Sequence, residues 1–228
     1  MRLVRFFLIL SVLIASTAIG GEKPVPPDTR GLTTLYGRFA FAHGCPVAPD
    51  LMLTNAHVAD VFPTVPEFPL VGYRFQNAFD VGVLSPEAAA GDSDVALMRP
   101  SVPLTFWYPI AKEAPRPGDF VWFENYDWSS EDRALERVLV RAEVTRHEAG
   151  ALVYRQEGDN GSSGGCVLNS RDEVIGLNEG ALALRNAKAS GVAVGLWEPW
   201  WVWPEGKEPA PAPVPPPVEK PAQKENGQ

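Results

Sequence analysis

Between residues 37 and 197 the chain is a succession of short apolar or alternating runs, each bounded by Gly, Pro, Asp or Asn. They read GRFAFAH at 37–43, DLMLTNAHV at 50–58, DVALMRP at 94–100, GDFVWFEN at 118–125, RVLVRAEVTRH at 137–147, ALVYRQ at 151–156, CVLNS at 166–170, EVIGLN at 173–178 and GVAVGLW at 191–197. Such runs bury a strand face but are too short to form the core-facing stripe of a helix. The chain is therefore mostly β. Many short antiparallel strands with turns at close spacing fold as sandwiches or closed barrels, and periodicity alone leaves both open. Only SSEDRALERV at 129–138 reads as a helix, capped by Ser129 or Ser130. The 23 Pro and 20 Gly, spread along 228 residues, suit turns between strands and argue against a helical bundle.

The two ends have a different character. Arg2 and Arg5 precede an apolar run from Phe6 to about Ile14, and the small residues Ala15, Ser16, Thr17, Ala18 and Gly20 follow. That order is a secretory signal peptide over residues 1–20, with cleavage after Ala18 or Gly20. The apolar run is well short of the roughly 20 residues that span a bilayer, so membrane attachment is expected only through an uncleaved signal. Residues 21–30 form an N-terminal extension, and residues 204–228, PEGKEPAPAPVPPPVEKPAQKENGQ, form a proline-rich disordered tail that cannot assemble an apolar face. The expected location is secreted, periplasmic or in the cell envelope.

Charge and composition exclude other classes. Lys+Arg 20 against Asp+Glu 28 gives −8, and loss of the signal leaves 18 basic against 28 acidic residues, a net −10. Such a molecule repels phosphate backbones and anionic membranes, so no nucleic-acid partner is expected. Three His and two Cys do not supply the clustered spacing of a structural zinc site, and no metal or cofactor is expected.

Three segments carry chemistry. GDNGSSGGCV at 158–167 is a glycine-dense turn between strands, whose backbone N–H groups can converge on one point where side chains would obstruct them. Ser163 stands at its centre. LTNAHV places His57 at the end of an apolar strand, and GDSDVALMRP places Asp94 directly before another. Taken singly, these are a flexible loop, a packed histidine and a turn aspartate. Taken together, they supply what a weak serine nucleophile needs: an imidazole to take its proton and a carboxylate to fix the imidazole's tautomer. The chain order His, Asp, Ser is that of the chymotrypsin arrangement and differs from the subtilisin and α/β-hydrolase orders.

On these residues the chain resembles the trypsin/chymotrypsin-like serine peptidases, closest to bacterial HtrA-like members without a PDZ domain. LTNAHV resembles the family's histidine motif, SDVALM its aspartate motif and GSSGGCV its serine motif. PGDFVWF resembles the strand that opens the second barrel, EVIGLNEG the V-I-G-I-N segment and ASGVAVG the closing strand. The resemblance covers residues 31–203 and implies an all-β fold of two six-stranded antiparallel barrels, with their boundary near 105–118 and the active site in the cleft between them. It implies Ser163 as nucleophile, His57 as general base and Asp94 as orienting carboxylate. The backbone N–H groups of Gly161 and Ser163 are the implied oxyanion hole, and the backbone of Asn178, Glu179 and Gly180 the implied ledge on which an extended peptide substrate pairs. Glu157, six residues before Ser163, matches the floor of the primary specificity pocket, where an acid favours Arg or Lys.

Departures from the family pattern carry expectations of their own. Ser162 stands where the digestive enzymes have an Asp that pairs with a newly cut N-terminal amine, so activity is not expected to depend on such activation. Cys166 replaces the motif's Pro and Cys45 lies on the strand before His57; in an exported chain the two are either a disulfide or a pair of buried thiols. WEPWWVW at 197–203 is expected to pack a closing segment onto the second barrel. Only the proline-rich tail follows, so the higher-order assembly typical of many HtrA proteins is not implied, and a monomer is expected. The function expected is a secreted serine endopeptidase acting on protein or peptide substrates. The alternative is a catalytically silent binding or scaffold module on a protease-like fold.

Overall fold

The computed structural model describes residues 25–37, 41–61, 70–74, 82–89, 94–128, 135–148, 150–156, 161–182 and 190–197. They form twelve strands and one short helix: β1 (Thr33–Tyr36), β2 (Phe41–Ala48), β3 (Leu51–Thr54), α1 (Ala56–Val61), β4 (Leu70–Arg74), β5 (Gly82–Ala89), β6 (Ala96–Pro100), β7 (Phe120–Trp128), β8 (Leu135–Glu148), β9 (Ala151–Tyr154), β10 (Cys166–Leu168), β11 (Val174–Leu182) and β12 (Ser190–Gly195). Two closed antiparallel barrels result, ordered β1-β2-β3-β6-β5-β4 and β10-β11-β12-β9-β8-β7. The first closes over four pairs, Thr33↔Arg74 to Tyr36↔Val71; the second closes over two, Val167↔Phe123 and Leu168↔Trp122. This is the chymotrypsin fold implied by the motifs.

The continuous apolar runs of β3 and β6 follow from burial on both faces. Met52 and Met98 point into the first barrel's core beside Leu35 and Leu84, while the alternate residues Leu51, Leu53 and Leu97 point outward into a cluster shared with the second barrel. That shared cluster also holds Cys45, Cys166, Leu177 and Tyr108. The second barrel keeps its own core around Phe123, Val144, Leu152 and Ile175. Three hydrophobic clusters thus make one body, and the seam between barrels is itself a core.

The segment Ser101–Asp119 crosses from one barrel to the other. Its Tyr108, fully buried, donates its hydroxyl to the Asp28 carbonyl (2.7 Å) and accepts the Gly31 N–H (3.0 Å), pinning residues 28–31 across the seam. The Asp28 N–H in turn donates to Asp172 Oδ1 at 2.7 Å.

The helix expected at 129–138 does not form where it can be seen. Residues 129–134 lie outside the described residues, and 135–138 belong to β8, paired with β7 through Trp128↔Leu135, Asp127↔Glu136, Tyr126↔Arg137 and Asn125↔Val138. A nine-pair ladder outweighs a weak local helical preference. The signal segment 1–20, the tail 204–228, Glu157, and Trp200, Trp201 and Trp203 lie outside the described residues. Trp197 is described; it packs buried in the second barrel's core.

Candidate active site

Thr54 at the end of β3 pairs with Ala96 at the start of β6, so whatever follows the one strand lies beside whatever precedes the other. His57 follows and Asp94 precedes. Chain reversal after β3 is made by buried Asn55, whose carbonyl accepts the N–H of Val58 and of Ala59 (both 3.1 Å) and starts α1. The Asn55 amide also donates to the Asp94 carbonyl at 3.0 Å, tying the two strand ends together. His57 therefore sits in the first turn of a helix, one step beyond the strand end where the sequence puts it.

The carboxylate of Asp94 holds His57 twice. Oδ1 accepts the His57 backbone N–H at 2.9 Å and Oδ2 lies 2.7 Å from ring Nδ1. A carboxylate only accepts, so Nδ1 is the donor, and in the neutral ring the lone pair lies on Nε2. The ring is half exposed, at 49%, against 25% for the Asp94 side chain, so the basic nitrogen opens to solvent while its support is sheltered.

Ser163 lies in the turn Gly161–Gly165, which needs its glycines. Gly161 (φ 96°) and Gly164 (φ 83°) occupy the left-handed region. A Cβ at Gly161 would overlap the Phe41 ring, and one at Gly164 would overlap Thr54 Oγ1 and the His43 carbonyl oxygen. The turn is fastened to both barrels. From β2, His43 donates its backbone N–H to the Ser163 carbonyl (2.8 Å), and its ring Nδ1 lies 2.7 Å from the Gly161 carbonyl oxygen. From β11, the Asn178 amide donates to the Ser162 carbonyl (3.0 Å) and to Ser162 Oγ (2.7 Å), while Tyr154 donates its hydroxyl to Asn178 Oδ1. Burial pushes the Tyr154 hydroxyl's pKa well up, keeping it a donor.

The Ser163 hydroxyl donates to the Glu179 carbonyl at 3.1 Å. Glu179 is the extra residue of a bulge in β11, where Asn178 pairs with Ala193 and Gly180 with Val192. Its carboxyl is pushed above the ordinary carboxylate range by burial and by Asp94, with His57 opposing. Gly180, at φ 149°, opens onto empty space.

Asn178 departs from expectation. Its N–H donates to the Gly165 carbonyl (2.9 Å), its carbonyl accepts the Gly164 N–H (2.8 Å) and its side chain is buried, so it cannot pair with a substrate. Only Glu179 and Gly180 remain for that ledge. Sequence reasoning also passed over His43, Glu124 and Tyr154, all buried against the turn or its supports. The signal available was a histidine in the apolar stretch GRFAFAH.

Cys45 of β2 and Cys166 of β10 are joined by a disulfide, Cα–Cα 4.8 Å, which crosses the barrel seam three residues beyond Ser163. Among the described residues, no group of three or more His, Cys, Asp or Glu side chains is placed to hold a metal ion.

Comparison with known proteins gives a consistent picture. A family model described as a trypsin-like peptidase domain matches residues 42–177. No curated protein matches the chain in sequence. The fold is similar to that of the serine endoprotease from Yersinia pestis (TM-score 0.56, 18% identity), with 75% of this chain aligned to 63% of that one, a little under two thirds of its length. It is similar also to a Glu endopeptidase (TM-score 0.59, 15% identity; 77% of this chain, 88% of that one). An inactive mutant form of Rv3671c from M. tuberculosis H37Rv gives a TM-score of 0.55 at 15% identity, over 75% of this chain and 89% of that one.

Proposed function

The chain belongs to the trypsin-like peptidase family, and from that premise we propose that it is an exported serine endopeptidase working through an acyl-enzyme. The observation that carries this reading is the double grip of Asp94 on His57, which turns ring Nδ1 to the carboxylate and leaves Nε2 as the nitrogen to serve as base. Ser163 rotates its hydroxyl from the Glu179 carbonyl toward Nε2, loses the proton to it and attacks the peptide carbonyl carbon. Negative charge develops on the carbonyl oxygen and is met by the N–H groups of Gly161 and Ser163. The C–N bond then breaks, the amine leaves with the proton from His57, and water repeats the sequence on the ester. An extended substrate lies along Glu179 and Gly180. Glu179 and Glu157, the latter matched only by the family resemblance to the place of the primary specificity pocket's floor, are the acids expected to favour a basic residue near the scissile bond.

Export is supported by residues 1–20 and by the disulfide, since such bonds persist in oxidising compartments. Labelling of mature protein with a fluorophosphonate, beside hydrolysis of fluorescein-labelled casein, tests the chemistry. Ser163→Ala and His57→Ala are expected to abolish labelling and to lower turnover by at least about 10⁴-fold. Labelling that survives Ser163→Ala refutes the assignment. One observation favours a second reading, a silent binding module: the resting Ser163 hydroxyl is bonded to Glu179 and not to His57. A well-folded wild type that neither labels nor turns over would establish that reading instead.

A further inference from the structure

Asp94, on which the base depends, stands outside the hydrogen-bond ladders of the first barrel. Both ladders that hold the start of β6 end at Ala96, one against Thr54 of β3 and the other against Ala89 of β5, two residues short of Asp94. The Asp94 carbonyl is held instead by a side chain, accepting from Asn55 Nδ2 at 3.0 Å. A carbonyl only accepts, so the amide presents its nitrogen to Asp94 and its oxygen elsewhere. That oxygen, Oδ1, is buried and makes no hydrogen bond among the described residues. A buried acceptor left unpaired costs about 1–3 kcal/mol, so this orientation of Asn55 works against stability.

The place of Asn55 in the chain sharpens the point. It precedes α1, and its carbonyl accepts the N–H of Val58 and of Ala59, so it is the N-cap of that helix. An N-cap asparagine ordinarily turns its own Oδ1 onto the second or third N–H of the helix. Here the second, that of His57, donates to Asp94 Oδ1 at 2.9 Å. The two residues have exchanged tasks: the Asp94 carboxylate caps the helix that starts after Asn55, and the Asn55 amide holds the main chain of Asp94. The exchange closes a ring, from Asn55 Nδ2 to the Asp94 carbonyl, through the Asp94 side chain to the His57 N–H, and back along the chain to Asn55. With Oδ1 so engaged, Oδ2 is left for ring Nδ1 at 2.7 Å. Were Asn55 to cap its own helix, Asp94 Oδ1 would lose its partner and the carboxylate one of its two points of contact with His57.

We propose that Asn55 is a positioning residue that acts through Asp94: its amide fixes the main chain of Asp94 beyond the end of the ladders and leaves the His57 N–H to orient the carboxylate. This rests on the serine-peptidase reading above. Loss of the donor frees the Asp94 carbonyl, so the two-point contact with His57 loosens while the Ser163 turn and the Glu179–Gly180 ledge stay as they are. The consequence is a fall in kcat at nearly constant KM, since misplacing a catalytic group by about 1 Å costs about 100-fold.

The test compares Asn55→Ala and Asn55→Leu with wild type, each made also in an Asp94→Ala background. It reads kcat and KM on fluorescein-casein and the rate of fluorophosphonate labelling, followed by mass over long incubation, with circular dichroism to establish folding. Both substitutions remove the donor, but leucine fills the space that alanine leaves, so a role in packing alone would separate them. Both are expected to lose about 10- to 100-fold in kcat and in labelling rate, with KM within about 3-fold. In the Asp94→Ala background the same substitutions are expected to change the labelling rate by less than about 3-fold, because the group through which Asn55 acts is gone. If one of them does not fold, the other is read in the same two backgrounds. A folded leucine variant with unaltered kcat overturns the proposal, and so does a loss of equal size with and without the Asp94 carboxylate, which marks a structural role. A wild type without labelling or turnover removes the enzyme reading, and this inference with it; active wild type with indifferent variants removes this inference alone.

Discussion

Opening the Cys45–Cys166 bond is expected to cost the fold about 5 kcal/mol. The bond closes a loop with a sequence separation of 121 residues. In the chain-entropy account, releasing a loop of that length returns about 16 cal/mol/K to the unfolded chain, or about 5 kcal/mol at 25 °C. Both cysteines are fully buried in the seam cluster, so replacing them by Ala adds a small packing loss in the same direction. For a fold of this size each kcal/mol moves Tm by about 2–4 °C, so Cys45→Ala/Cys166→Ala is expected to melt roughly 10–20 °C below wild type. Differential scanning calorimetry on the two proteins measures the shift, and alkylation before and after reduction, read by mass, establishes that the bond is present in the starting material. Equal masses with and without reductant, or a Tm loss under about 3 °C, would refute the reasoning. Activity responds differently. Because His43 and Asn178 hold the Ser163 turn by hydrogen bonds of their own, the double variant well below its Tm is expected to keep turnover within about 3-fold of wild type, as befits loss of an unfolded-state constraint.

Gly164→Ala places a Cβ onto the His43 carbonyl oxygen, a backbone atom that cannot swing aside, at a positive φ that alone costs about 1–3 kcal/mol; lowered Tm and lost fluorophosphonate labelling are expected together, and wild-type labelling would show that the turn is not so constrained. A protein carrying residues ahead of Gly31 is expected to be as active as one trimmed there, since Ser162 is bonded to Asn178 and offers no carboxylate to an amine; a large gain on trimming contradicts this. Glu124 has a folded pKa below its unfolded value, so the stability it contributes is present above the ordinary carboxylate pKa of about 4.3 and is lost as pH falls through the lower folded value. The stability difference between wild type and Glu124→Gln, followed by urea unfolding, is expected to be flat near neutrality and to narrow below about pH 4; a difference unchanged down to about pH 3 tells against a depressed Glu124.

Nine of the twelve strands are legible as apolar runs because each carries its pattern locally. The three that escape have physical reasons to. In β1 two of four residues are Thr, and β4 has Gly72 at its centre. β5 contains Pro86, which reads as a strand breaker but sits where the register with β6 shifts between Pro86 and Ala88, a bulge that spares the missing N–H. The error over 129–138 is the converse: Leu135–Val138 has helix-forming composition but lies opposite β7. At the site, His57, Asp94 and Ser163 stand in short motifs whose neighbours in sequence are their neighbours in space. His43 and Glu124 do not. The His43–Gly161 contact spans 118 positions, and a lone histidine in an apolar strand carries no mark of the partner waiting there.

The supports of the serine turn are the physical ground for expecting no need here for the aspartate and newly cut amine of the digestive enzymes. Such a switch leaves the turn unformed until a charge arrives to hold it. Here the turn's carbonyls are held by a histidine ring of the first barrel and an asparagine amide of the second, both buried groups whose partners come from the folded barrels. The His43 support cannot be made by one barrel alone: it joins β2 to the turn that leads into β10, and the disulfide joins the same two strands. Docking of the barrels along Leu53, Leu97, Leu168 and Leu177 therefore brings the turn, already held by Asn178 within the second barrel, to its His43 anchor. Substitutions that loosen this seam, although remote from His57 and Ser163 in function, should release the turn before either barrel unfolds, because hydrogen bonds across the seam are the first to lose their geometry when the packing beneath them yields.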